Sequence, residues 1–162
     1  MSSHKSIPDN HGFTLVEILV VVVILGILGA IVIPTFSEAS TQARQNTFAA
    51  CIRVFSDAAT IYEAKTGEYP ADAGCGQCPA GWEDYINVVQ WQRPTPVGGL
   101  WDVQFNKDDV TSAVGVHFHG ADHINPGDAY MSTIDAIIDN GDLDTGAFQK
   151  IANDRYYMII AP

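Results

Sequence analysis

Residues 13–33 carry one charged side chain, Glu17, and the sixteen residues 18–33 have no polar side chain at all. In helical form, a stretch of 21 residues extends about 31 Å, close to the thickness of a bilayer core. The segment is therefore long enough to span a membrane. Past Pro34 the pattern turns amphipathic: Phe48, Ile52, Phe55, Ala59 and Tyr62 recur at three- and four-residue intervals, with Arg44, Arg53, Asp57 and Glu63 between them. The spacing predicts one helix over residues 13 to about 64. It should end at Thr66-Gly67-Glu68-Tyr69-Pro70, where Gly67 suits a left-handed cap and Pro70 prevents continuation. Inside the apolar half, Pro34 removes a backbone donor and crowds the preceding turn. Gly26 and Gly29 weaken the same stretch and permit close helix packing. The helix is expected to bend or loosen over residues 26–34.

Downstream the periodicity is shorter. Residues 69–96 read as a loop-rich connection, with a short helix from Pro79-Ala80-Gly81-Trp82 to about Gln90, and Trp82, Tyr85, Val88, Val89 and Trp91 as apolar anchors. Thr95-Pro96-Val97-Gly98-Gly99 is turn chemistry. Strands are predicted at 100–106 and 113–119, joined by a turn at Asn106-Lys107-Asp108-Asp109, with a second short helix at 131–139 and a last strand at 155–160. The length of 162 residues suits one compact domain with an appendage. Nineteen acidic against eight basic residues give a formal charge of −11. That balance repels phosphate backbones, and no nucleic-acid partner is expected.

Three readings compete for the N-terminus. A secretory signal peptide needs a basic start, a shorter apolar run and a small-residue cleavage site, which Pro34-Thr35-Phe36-Ser37 supplies poorly. A plain membrane anchor fits the length but leaves Glu17 unexplained, because a carboxylate in a span costs on the order of 3 kcal/mol at its centre. The third reading covers all of the features. Gly12-Phe13-Thr14-Leu15-Val16-Glu17, followed by an unbroken apolar run, resembles the prepilin signature of type IV pilins and type II secretion pseudopilins.

That resemblance implies cleavage between Gly12 and Phe13 by a prepilin peptidase, and N-methylation of the new N-terminus at Phe13. It divides the chain into a leader (1–12), a transmembrane and assembly helix (13–34) and a globular pilin-like head on the continued helix (35–162). It implies an α+β fold, a long N-terminal helix packed on a small antiparallel sheet. It also implies a single-pass inner-membrane precursor with a periplasmic head. The precursor's partners would be an assembly platform and identical or related subunits in a pseudopilus or surface pilus. In such filaments the stretch matching 26–34 is often unwound. A lone carboxylate among apolar helices is tolerable only neutral or paired with a cation. Glu17 is thus expected to pair with the Phe13 amine of a neighbouring subunit and set its register; the plainer alternative is a carboxylate reaching the membrane boundary. Residues 69–72, 95–102 and 135–142 also resemble head segments of some pseudopilin-like proteins. The reading from a different class is a membrane-tethered extracytoplasmic module that binds a ligand or metal.

Three groups in the head carry candidate chemistry. Cys75-Gly76-Gln77-Cys78 lacks the second pair of a zinc ribbon, and outside the cytoplasm a Cys75–Cys78 disulfide is the preferred reading. Cys51 is then either a partner for one of them or a buried thiol. His117, His119 and His123, with Asp122, suit zinc or copper, against a strand side that simply faces solvent. Asp139, Asp142 and Asp144 form an acidic loop that suits calcium, as in some major pseudopilins, against solvated turns after a helix end at Gly141. No cofactor beyond that calcium is expected. No nucleophile motif, phosphate loop or catalytic carboxylate pair is visible, so an enzyme is not expected.

Overall fold

A computed structural model describes residues 12–107 and 110–162. The element order is α1 (Leu15–Thr66), α2 (Val88–Trp91), β1 (Leu100–Lys107), β2 (Val110–His117), α3 (Asp128–Ile138), β3 (Phe148–Ala152) and β4 (Arg155–Ala161). The chain divides into two compact units, Met1–Ser40 and Thr41–Pro162. Helix α1 is the sole regular element of the first unit's described residues and continues into the second.

In the second unit the four strands form one antiparallel sheet in the order β1-β2-β4-β3. Phe48, Ile52, Phe55 and Ala59 of α1 are fully buried, as their spacing predicts, and Gln45, Ala49 and Ser56 widen the stripe. Successive strand residues point to opposite faces. Trp101 and Val103 of β1, Val114 and Val116 of β2, and Tyr156 of β4 pack in one core with that stripe. Aromatic rings fill the space between. Phe48 stacks on Trp101 at 5.3 Å between centroids, while Phe55 meets Trp101 edge-on at 4.9 Å and Trp91 at 5.0 Å. Met131 and Ile134 of α3 join the same core, and Arg53 of α1 donates to the carbonyls of Ile137 and Ile138 at the end of α3.

The α+β architecture matches the expectation from the sequence. Helix α1 ends at Thr66, and Gly67 takes φ +84° and donates to the Glu63 carbonyl at 2.7 Å. Four details differ. The helix expected up to Gln90 is only one turn, Val88–Trp91, capped by the Asn87 side chain; Gly81 at φ +83° and two turns closed by the Pro79 and Trp82 carbonyls take up the segment before it. Strand β2 starts at Val110 and stops at His117, leaving Phe118 and His119 outside it. Helix α3 begins at Asp128, earlier than the apolar pattern suggests, with Gly127 as its N-cap. Strand β3 is an addition to the strands that the pattern predicts. It pairs only with β4, at the sheet edge. The expected turn at 106–109 lies partly outside the described residues.

Candidate functional site

The N-terminal motif forms a reciprocal cap at the start of α1. The Thr14 backbone N–H and hydroxyl both donate to Glu17 Oε2, at 2.7 and 2.9 Å, and the Glu17 N–H donates to the Thr14 hydroxyl at 3.2 Å. Thr-x-x-Glu in this arrangement is a capping box, which satisfies two of the donors that a helix start leaves unpaired. The signal is local, since Thr14-Leu15-Val16-Glu17 has the Thr-x-x-Glu spacing of such a cap. Glu17 therefore has a structural use within one subunit.

From Phe13 to Ile33 the large apolar side chains are exposed on every side of the helix. A helix apolar all round needs lipid or other helices as surroundings. It is long and apolar enough to cross a membrane. Gly26 and Gly29 are helical, and a Cβ at either would meet nothing within 4 Å. Contacts within this chain therefore do not require glycine at these positions. The helix runs through position 34, where proline cannot donate to the carbonyl four residues back. The Thr35 hydroxyl donates to the Ile31 and Val32 carbonyls, at 3.2 and 2.9 Å, a bond of the kind that bends helices. Gly12 and Phe13 are exposed and precede the helix.

The second cluster lies in the head, on the sheet face opposite α1. Asp102 of β1, Gly115 of β2 and Tyr157 of β4 stand in one row across three strands. Gly115 has no side chain, so the Tyr157 ring lies over it, and its hydroxyl donates to Asp102 Oδ2 at 2.6 Å. His117, two residues on from Gly115 and buried, brings Nδ1 to 3.5 Å from Asp102 Oδ2 and 2.8 Å from Cys75 Sγ. Its Nε2 lies 3.2 Å from Asp154 Oδ2, and Arg155 Nε is 3.4 Å from the same nitrogen. Burial pushes the Asp102 carboxyl above the usual range, against the Tyr157 hydrogen bond and the His117 charge, which pull it down. Burial also raises the Cys75 thiol, with the Asp102 charge adding to it. The Tyr157 phenol is driven far up by burial and by Asp102, so it stays a donor.

Cys75 reaches the cluster because its loop is tied to β1. Gly76 N–H donates to the Trp101 carbonyl at 2.7 Å, Gln77 N–H closes a turn onto Gly74, and Trp91 Nε1 donates to the Gln77 carbonyl at 2.9 Å. All three cysteines are free thiols in this structure. Cys78 is directed to the Pro79 carbonyl, and Cys51 accepts from Gln90 Nε2 at 3.1 Å. Of the three histidines, His119 is exposed beyond the end of β2, with its ring 5.2 Å from that of His117, and His123 is half-buried in the following turn. Among the described residues, the group of three that brings ligand atoms together is Cys75, Asp102 and His117, within 4.8 Å of one another.

The acidic loop after α3 is closed by its own hydrogen bonds. Asp139 accepts from the Ala147 N–H, and Asp142 accepts from the Asp144 N–H and the Thr145 hydroxyl, both at 3.1 Å. Among the described residues, Asp139, Asp142 and Asp144 do not converge as a three-carboxylate cluster.

The prokaryotic N-terminal methylation motif matches residues 7–33. The chain is 42% identical over 63 residues to the type II secretion system core protein G of Pseudomonas aeruginosa, covering 39% of this chain and 44% of that protein. It is 37% identical over 61 residues to the core protein G of Aeromonas hydrophila, covering 38% of this chain and 43% of the relative. It is 49% identical over 39 residues to the type IV major pilin protein of Myxococcus xanthus, covering 24% and 18%. The match thus spans less than half the length of each relative. No solved structure matches the chain. The chain is thus similar, over part of its length, to type II secretion core protein G and a type IV major pilin, and it carries the N-terminal methylation motif.

Proposed function

We propose that the chain is a structural subunit of a type II secretion pseudopilus. It is held in the inner membrane as a precursor, cut between Gly12 and Phe13 by a prepilin peptidase, methylated at Phe13 and then polymerised through α1. The observation that carries this reading is a helix exposed and apolar on all sides from Phe13 to Ile33 directly behind the methylation motif. Such a surface is stable in lipid and again among the helices of neighbouring subunits, so one segment serves both storage and assembly. The head then lies on the periplasmic side. The longer matches to core protein G favour a pseudopilus, and the shorter match to a major pilin supports a surface pilus as the second reading.

Glu17 has two successive uses in this scheme. In the isolated subunit it caps its own helix through Thr14. In the filament it takes the amine of a neighbour's Phe13, which neutralises the charge and fixes the offset between subunits. Gly26 and Gly29, which this chain's own packing does not demand, give neighbouring helices room and ease local unwinding near Pro34. Mass spectrometry of the mature N-terminus tests the proposal. The expected species begins at N-methylated Phe13; a chain retaining Met1, or cut beyond Pro34, refutes it.

A further inference from the structure

We propose that Cys75, Asp102 and His117 form a zinc site that fastens the 72–78 loop to the sheet of the head. The three ligand atoms lie within 4.8 Å of one another, with Sγ to Nδ1 at 2.8 Å and Nδ1 to Oδ2 at 3.5 Å. Ligands on a tetrahedral zinc, bound at about 2.0–2.3 Å, stand about 3.5 Å apart, so a small adjustment of Cys75 admits the ion. A thiolate, an imidazole and a carboxylate are the donor set that zinc takes in preference to calcium or magnesium. Three protein ligands leave the fourth position to water.

The surroundings are those of a metal-binding histidine. Coordination through Nδ1 places the remaining proton on Nε2, which then donates to Asp154 Oδ2 at 3.2 Å, while the Arg155 Nε–H now aimed at Nε2 turns to Asp154 Oδ1, 3.9 Å away; a carboxylate in that position fixes the tautomer and ring orientation. Tyr157 holds the ligating carboxylate through its own hydrogen bond. Charge favours the ion as well. Asp102 is buried beside Nδ1 of His117 and Asp154 lies at Nε2, so two carboxylates flank the imidazole. Zinc displaces the Cys75 thiol proton to solvent, and the resulting thiolate and the Asp102 carboxylate balance its two positive charges. The loop is already docked by Gly76 on Trp101, so little chain entropy is lost on binding. Oxidation of Cys75 with Cys78 would remove the thiolate, which makes the two fates mutually exclusive.

The experiment uses the full chain in detergent, purified under reducing conditions and stripped of metal. Zinc is added and quantified against protein, and cobalt is used as a spectroscopic substitute whose thiolate charge-transfer band reports a Cys ligand. The expected result is one equivalent of zinc, a raised thermal midpoint, and a cobalt band that Cys75→Ser abolishes while Cys78→Ser and His119→Gln retain it. Asp154→Ala should weaken zinc about 10–100-fold while keeping the band. Absence of stoichiometric binding by the reduced chain, survival of the band in Cys75→Ser, or its loss in Cys78→Ser overturns the site. A Cys75–Cys78 disulfide in protein isolated from its native compartment overturns it as well. Cys75→Ser leaves the aromatic core untouched and is expected to fold even where Asp102→Asn does not.

Discussion

Replacing Gly115 with alanine tests the packing on which the polar face of the head depends. Strand β2 is central, and Gly115 sits between Asp102 on one side and Tyr157 on the other. A Cβ built there lies 2.6 Å from Tyr157 Cγ and overlaps the Tyr156 carbonyl. Two of the three nearest atoms are β4 backbone, which prevents an easy shift. Overpacking of this kind costs about 1–3 kcal/mol. Displacing the tyrosine also breaks its bond to a buried carboxylate, which adds about 1.5–3 kcal/mol. The combined expectation is about 3–5 kcal/mol. For the Thr41–Pro162 unit, an unfolding entropy of about 2.1 cal/mol/K per residue converts this into a fall of roughly 10–20 °C in thermal midpoint. Near-ultraviolet circular dichroism follows the transition through the buried tryptophans, with the full chain held in detergent. Tyr157→Phe keeps the ring and removes only the hydroxyl, so it should show the hydrogen-bond part alone. In a Tyr157→Ala background, Gly115→Ala should cost only the part due to backbone overlap with the Tyr156 carbonyl and the residue 157 Cα, because the ring contact and its hydrogen bond are already gone. A fall of less than about 4 °C for Gly115→Ala alone, or full additivity in the double variant, would refute the reasoning.

Other expectations follow from the same geometry. Glu17→Ala should leave cleavage at Gly12 intact but reduce filament yield, measured by shearing and electron microscopy; normal yield would remove the pairing role. Gly29→Ala meets no atom in the subunit and should strengthen the helix by about 1 kcal/mol, yet lower assembly. Equal assembly would show that neither close packing nor unwinding needs the glycine. Asp135 is fully buried, and burial, then the Asp139 charge, raise its pKa, opposed by the Gly141 and Asp142 N–H groups. Below the unfolded value of 3.8 both states hold the proton. As pH rises past it the unfolded state ionises first, and stability is lost until the folded pKa is passed. Asp135→Asn should therefore gain stability relative to the parent between about pH 3.8 and neutrality, read as diverging urea midpoints; a constant gap would contradict the shift.

Residues 13–66 were legible because their determinants are local. An unbroken apolar run, a 3.6-residue stripe ending in Gly67 and Pro70, and the motif around Phe13 depend on neighbours in sequence. The paired strands β1 and β2 and the terminal β4 were legible for the same reason, since their apolar positions alternate. The capping box was equally local, and a search for Thr-x-x-Glu finds it. Strand β3 was not legible. Its sequence, Phe-Gln-Lys-Ile-Ala, has weak alternation and only one fully buried side chain, Phe148, so pairing with β4 rather than its own pattern makes it a strand. The short α2 reflects the turns at Pro79 and Trp82 that precede it.

The buried polar cluster belongs wholly to tertiary structure. Cys75 was read with Cys78, and His117 with His119 and His123, because each pair or triplet is close in sequence. Cys75 and His117 are 42 positions apart, and Tyr157 and Asp102 are 55 apart. They meet because β2 inserts between β1 and β4, and because the Gly76 N–H binds the free edge of β1. The sequence alone determined the membrane-length helix, the methylation motif at its start and the stripe that builds the core, all set by local composition and period. Which polar groups share the reverse face was decided by strand order, since sheet pairing joins residues without regard to their separation along the chain.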